Sequence, residues 1–187
     1  MNRSQFAPCL SLAVALVVLG AVMPAEARDR AGTVICGGVH APRANFTEII
    51  DTAYGFRNAN LERPEDVRIT RLTIRNFFGD VVDDFGEAAV PPRALPTNRD
   101  IPPQFNFNVT TVPAGASYYL TTSHIYGNTF MPSAPGAGNN ISVVVEFSTA
   151  GDPDLFFVSG SLRTRELIGG VQGQEHARAT ITCQRLK

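Results

Sequence analysis

From residue 30 onward the chain alternates apolar and polar side chains in short runs, and this period of two restricts its fold more than any other feature. Successive side chains of a strand point to opposite faces, so alternation marks a strand with one dry side and one wet side. Residues 33–39 set Val34 and Cys36 on one face. Residues 67–75 carry Leu72 and Ile74 in one phase but Val67 and Ile69 in the other, which predicts a bulge at Thr70 or Arg71. Phe105, Phe107, Val109 and Thr111 alternate with Asn106, Asn108 and Thr110. Ile141, Val143, Val145 and Phe147 alternate with Ser142, Val144 and Glu146. Phe156, Val158, Gly160 and Leu162 alternate with Ser159, Ser161 and Arg163. A last strand sets Ala177, Ala179, Ile181 and Cys183 against His176, Arg178, Thr180, Thr182 and Gln184. No segment after residue 28 keeps a 3.6 period; residues 45–52 fit a helical turn or a strand equally well.

Turn residues separate these runs: Gly79-Asp80, Pro113-Ala114-Gly115, Gly151-Asp152-Pro153-Asp154, and the glycines 169, 170 and 173 before the last strand. Residues 88–103 hold five prolines and are expected to form a surface loop or edge crossing. Residues 131–140, rich in Pro, Gly, Ser and Asn, form a second long loop. Several short strands at this spacing predict an all-β fold, an antiparallel β-sandwich, with a small β-barrel as the alternative.

Residues 1–27 read as a secretory signal peptide. Arg3 supplies the positive start, residues 10–22 are apolar, and Ala25-Glu26-Ala27 has the small-x-small form of a cleavage site. The apolar run is shorter than the roughly 20 residues of a membrane span, and Pro8 and Pro24 bracket it. Cleavage is therefore expected over retention as an anchor, leaving residues 28–187 as one β-sandwich domain. The mature chain is expected to be exported, periplasmic or extracellular, with no membrane span.

Cleavage removes Cys9 and leaves Cys36 and Cys183, which in an exported protein are most simply a disulfide between the first and last strands. Closing so long a loop is worth roughly 5 kcal/mol by chain entropy, and it requires the two Cα atoms within about 7 Å. A redox pair is the alternative, but there is no Cys-x-x-Cys to activate a thiol.

Lys+Arg is 16 and Asp+Glu is 17, a net charge of −1, which removes the electrostatic case for nucleic acid. With 44% hydrophobic and 18% charged residues the chain is not of the disordered class. The cations are uneven: fourteen arginines follow the leader and the sole lysine is Lys187. Arg163, Arg165, Arg178 and Arg185 are candidates for a face that takes anionic glycans, phosphates or a partner's carboxylates. Tyr118, Tyr119 and Tyr126 offer stacking area with a polar tip, with one of Tyr118 and Tyr119 expected in the core.

The acids Asp80, Asp83, Asp84 and Glu87 lie in and after a turn. They are expected to be a solvated acidic turn, with calcium as the alternative, although the order of an EF-hand loop is lacking. His40, His124 and His176 show no metal-ligand spacing, and few methionines remain for copper. There is no Gly-x-Ser-x-Gly, His-Glu-x-x-His or Ser-x-x-Lys. Glu146, the one acid among apolar residues, is expected to face solvent.

Residues 69–74 (Ile-Thr-Arg-Leu-Thr-Ile), 112–116 (Val-Pro-Ala-Gly-Ala), 141–146 (Ile-Ser-Val-Val-Val-Glu) and 161–165 (Ser-Leu-Arg-Thr-Arg) follow one another in an order that resembles small bacterial β-sandwich modules of the sensory rhodopsin transducer type. The resemblance implies a non-enzymatic binding sandwich and carries no site residue over. Members of that type are cytoplasmic, unlike a chain with an export leader. The expected function is a non-enzymatic binding or assembly module of the cell envelope, with another envelope protein or a glycan as partner and no cofactor. A secreted hydrolase and a calcium- or copper-binding periplasmic protein are the alternatives.

Overall fold

The computed structural model describes residues 29–42, 47–62, 64–95, 111–127, 140–168 and 171–186. The expected signal peptide at 1–27, the alternating stretch at 105–110 and the loop at 131–139 lie outside these residues; of the proline-rich loop, residues 88–95 are described. The described strands are β1 (Arg30–Val39), β2 (Ala41–Pro42), β3 (Glu48–Asn58), β4 (Val67–Arg75), β5 (Val81–Phe85), β6 (Thr111–Val112), β7 (Ser117–Thr121), β8 (Asn140–Thr149), β9 (Phe156–Ile168), β10 (Val171–Ile181) and β11 (Cys183–Leu186). One short helix, α1 (Thr122–Tyr126), follows β7.

These strands form two antiparallel sheets. Sheet I has the order β11-β1-β8-β4-β5, with β6 also on β4; sheet II has the order β10-β9-β3-β2, with β7 also on β3. The sheets pack as a sandwich, one of them curled toward a half-barrel. Val34, Cys36, Ile69, Leu72, Ile74, Val143, Val145 and Phe147 from sheet I meet Tyr54, Phe56, Leu120 and Phe156 from sheet II in one core. The Phe147 and Phe156 rings touch across it at 4.6 Å. The phase change in β4 is the expected bulge: Ile69 and Arg71 pair with the consecutive residues Phe147 and Glu146, so Thr70 is the extra residue.

Residues from 48 onward in the ambiguous stretch are strand, paired along β9 from Glu48↔Glu166 to Asn58↔Phe156. The last run is two strands rather than one. β10 pairs with β9 in sheet II, the chain turns at Thr182, and β11 pairs with β1 in sheet I. From Ile181 on, the odd-numbered residues stay the less exposed ones on both sides of the crossing, so the pattern gives no sign of the change of sheet. Gly173 lies within β10, where pairing to β9 slips between Gln172 and Glu175. Cys36 and Cys183 stand directly opposite each other and are bonded, with Cα atoms 4.1 Å apart.

Candidate functional site

The even-numbered residues of β3, Thr52, Tyr54 and Phe56, face the core, so Ile49, Asp51, Ala53, Gly55 and Arg57 lie on the opposite, outer face of sheet II. Register brings further residues to that face. Arg163 and Arg165 of β9 stand opposite Asp51 and Ile49, and Ser159 and Phe157 stand opposite Gly55 and Arg57. Tyr119 and Ser117 of β7 flank Gly55 and Arg57 from the other side.

At one end of this face Asp51, fully buried, gathers four donors. Arg163 grips it through Nε at 3.2 Å and Nη2 at 3.0 Å, Arg165 through Nη2, and Ser123 of α1 through Oγ at 2.6 Å. A carboxylate so placed is tolerable only because every donor is charged or hydrogen-bonding. Arg163 also donates from Nη1 to the Tyr119 hydroxyl at 2.7 Å. Helix α1 is set by a reciprocal cap, in which the Thr121 hydroxyl accepts from the His124 backbone and His124 Nδ1 accepts from the Thr121 backbone. The His124 ring meets Tyr119 edge-on at 5.9 Å. Tyr119 is thus fixed from two sides while its ring remains 38% exposed.

The other end of the face is open. Phe157 is 52% exposed, and Ser117, Arg57 and Ser159 are exposed beside it. Between Tyr119 and Ser159 lies Gly55, where a Cβ would come within 2.9 Å of Ser159 Oγ. Ser159 Oγ thus lies over Gly55, and this end of the face is an open strip on which Tyr119 and Phe157 are the exposed aromatic residues. Two strand spacings and one two-residue step put the Tyr119 and Phe157 Cα atoms about 12 Å apart.

The four candidate arginines do not form a single face. Arg163 and Arg165 are buried on Asp51. Arg178 is exposed on β10 and bonds Glu175 at 2.9 Å. Arg185 is on β11, in sheet I, where it reaches Asp154 at 3.0 Å and lies over the Phe147 ring. The change of sheet at Thr182 is what separates Arg178 from Arg185.

The acidic run does not converge either. Asp84 accepts from Arg71 Nη2 at 2.7 Å and from Thr73 at 2.9 Å, and these bonds, that from Arg71 foremost, hold its carboxyl below the usual carboxylate range. Asp83 pairs with Arg93 at 2.6 Å, Glu87 pairs with Arg68, and Asp80 accepts from Asn76 in the β4–β5 turn. Among the described residues no group of three or more His, Cys, Asp or Glu is placed to hold a metal ion. No helix among them is long and apolar enough to cross a membrane. His40 is buried at the corner between β1 and β2, with Nδ1 3.1 Å from the Thr122 hydroxyl. The side chain of His176 lies outside the described residues. Glu146 is half-exposed, 3.9 Å from Arg71.

A cleft of about 460 Å³ opens beside the connection between β8 and β9, lined by Arg30, Asn60, Glu62, Glu65, Gly151 and Asp152 among others. It has three acids on its walls and no histidine. Tyr118 faces the core and Tyr119 the outer surface, as alternation requires, and Tyr126 also packs on the core.

Sequence reasoning passed over Asp51, Gly55, Arg57 and Phe157. The signal for Asp51 is present: one acid inside an apolar strand requires cations, and Arg163-x-Arg165 places two on one face. No family model matches the chain, and no curated protein or solved structure is found to be similar to it.

Proposed function

We propose that this protein is an exported, non-catalytic binding module of the cell envelope that takes a saccharide chain across the outer face of sheet II. The observation that carries this reading is the pair of exposed aromatic residues, Tyr119 and Phe157, set about 12 Å apart on one open sheet face with Ser117, Ser159 and Arg57 beside them. Aromatic faces offer apolar area to the C–H faces of a sugar, and the surrounding Ser117, Ser159 and Tyr119 hydroxyls supply hydrogen bonds to its rim. The tie from Arg163 to Tyr119 makes this ring a pre-set platform, which lowers the ordering cost of binding. The order of residues that resembles transducer-type sandwiches agrees with a binding rather than a catalytic role, and the reading of residues 1–27 as a signal peptide agrees with export.

The test is a panel of immobilised neutral and acidic oligosaccharides probed with the purified protein and with a Tyr119→Ala, Phe157→Ala double variant. Binding by the wild type, weakened tenfold or more in the variant, supports the proposal. No binding to any saccharide, or equal binding by both proteins, contradicts it.

A further inference from the structure

We infer that the saccharide taken by sheet II is acidic, and that Arg57 reads its anionic group. This rests on the saccharide reading above and adds its charge. The outer face of sheet II brings together Arg57, Arg163, Arg165 and Arg178 and, among the described residues, two acids, Asp51 and Glu175. The whole chain carries a net charge of −1, so this face runs against the balance of the molecule.

The cations differ in what they are available to do. Arg163 and Arg165 are buried and bound to Asp51. Arg178 is engaged by Glu175. Arg57 is exposed, and among the described residues it enters no ion pair. It stands directly opposite Phe157 on one side and Ser117 on the other, one row from Gly55 and Tyr119. A sugar stacked on the exposed rings of Phe157 and Tyr119 therefore brings its substituents to a guanidinium that has five donors and a planar fork suited to a carboxylate, sulfate or phosphate oxygen pair. Two features thus agree: rings to carry the sugar, and a cation beside them for its charge.

The probes are oligogalacturonate, which carries a carboxylate on each ring, and the same oligomer with its carboxylates esterified as the neutral control. Isothermal titration compares wild type with Arg57→Gln, which removes the charge at an exposed site and keeps the fold. The expected result is tenfold or greater preference of the wild type for the acidic oligomer, weakened by salt, with the preference lost in Arg57→Gln while binding of the neutral oligomer is unchanged. Equal binding of both oligomers by the wild type overturns this inference and leaves the saccharide reading standing. So does a preference for the acidic oligomer that survives in Arg57→Gln. Failure of both oligomers, together with every other saccharide of the panel, overturns both.

Discussion

Asp51 and Arg163 face each other in register across β3 and β9, and the guanidinium closes on the carboxylate through two hydrogen bonds of 3.2 and 3.0 Å. Both groups are buried on the outer side of a sheet, a place where alternation normally sets solvated residues. Removing one partner of such a pair strands the others. Asp51→Asn leaves Arg163 and Arg165 facing a neutral amide and is expected to lower the unfolding free energy by about 3–5 kcal/mol. Ser123→Ala, which deletes a single donor, is expected to cost about 1–2 kcal/mol. Urea unfolding of the two variants measures both, and the order of the two losses is the outcome that matters.

The bond between Cys36 and Cys183 spans 147 residues and joins neighbouring strands of one sheet. Its principal effect is on the unfolded chain, whose freedom it removes. Replacing both cysteines by serine is expected to cost about 2–5 kcal/mol, the upper end being the chain-entropy value. Thermal unfolding with and without reductant checks this: the wild type should lose stability on reduction and the double variant should not respond.

Asp84 connects β5 to β4 through Arg71 and Thr73, and its folded carboxyl is held below the usual range, chiefly by the Arg71 hydrogen bonds. A lowered folded value means that the unfolded chain binds the proton more tightly. The stabilisation is therefore complete above the unfolded carboxylate value near 4 and is lost as pH falls through the lower folded value. Asp84→Asn should flatten the acid limb of a stability–pH curve in that window. Arg71 is partly exposed, so the effect should also shrink with added salt.

Tyr54 is buried in the core and donates its hydroxyl to the Gly37 carbonyl at 3.0 Å. Burial pushes its phenol up, and it does the same to Tyr126, where the neighbouring Asp83 adds to it. A raised value means that the folded state holds the proton more tightly. The stabilisation is complete below the unfolded phenol value near 10 and is lost as pH rises toward the higher folded values. Stability should therefore decline above about pH 10, and Tyr54→Phe should make that decline shallower while costing about 1 kcal/mol at neutral pH for the lost hydrogen bond.

The period of two is a direct record of which side of a strand is dry, and for that reason β1, β4, β8 and β9, the bulge at Thr70 and the opposite faces of Tyr118 and Tyr119 were all legible in the sequence. The pairing of Cys36 with Cys183 was legible because no other cysteine follows residue 27. The change of sheet at Thr182 was not, since a strand that crosses a corner keeps its inward phase. The site was harder still. Arg163 and Arg165 fall on the polar phase of β9, which reads as solvent-facing, and only the register with Asp51 and the cover of α1 make that phase dry. Gly55 reads as an ordinary small residue until Tyr119 and Ser159 are known to flank it, and those neighbours are set by strand order rather than by spacing in the chain.

The account turns on where a ligand lies. Backbone amide shifts of the isotopically labelled protein, followed during titration with an oligosaccharide that it binds, locate the ligand directly. The predicted result is a set of perturbations centred on Gly55, Arg57, Ser117, Tyr119, Phe157 and Ser159. Perturbations centred instead on the cleft at Arg30, Asn60, Glu62 and Asp152, with the outer face of sheet II unchanged, would contradict it.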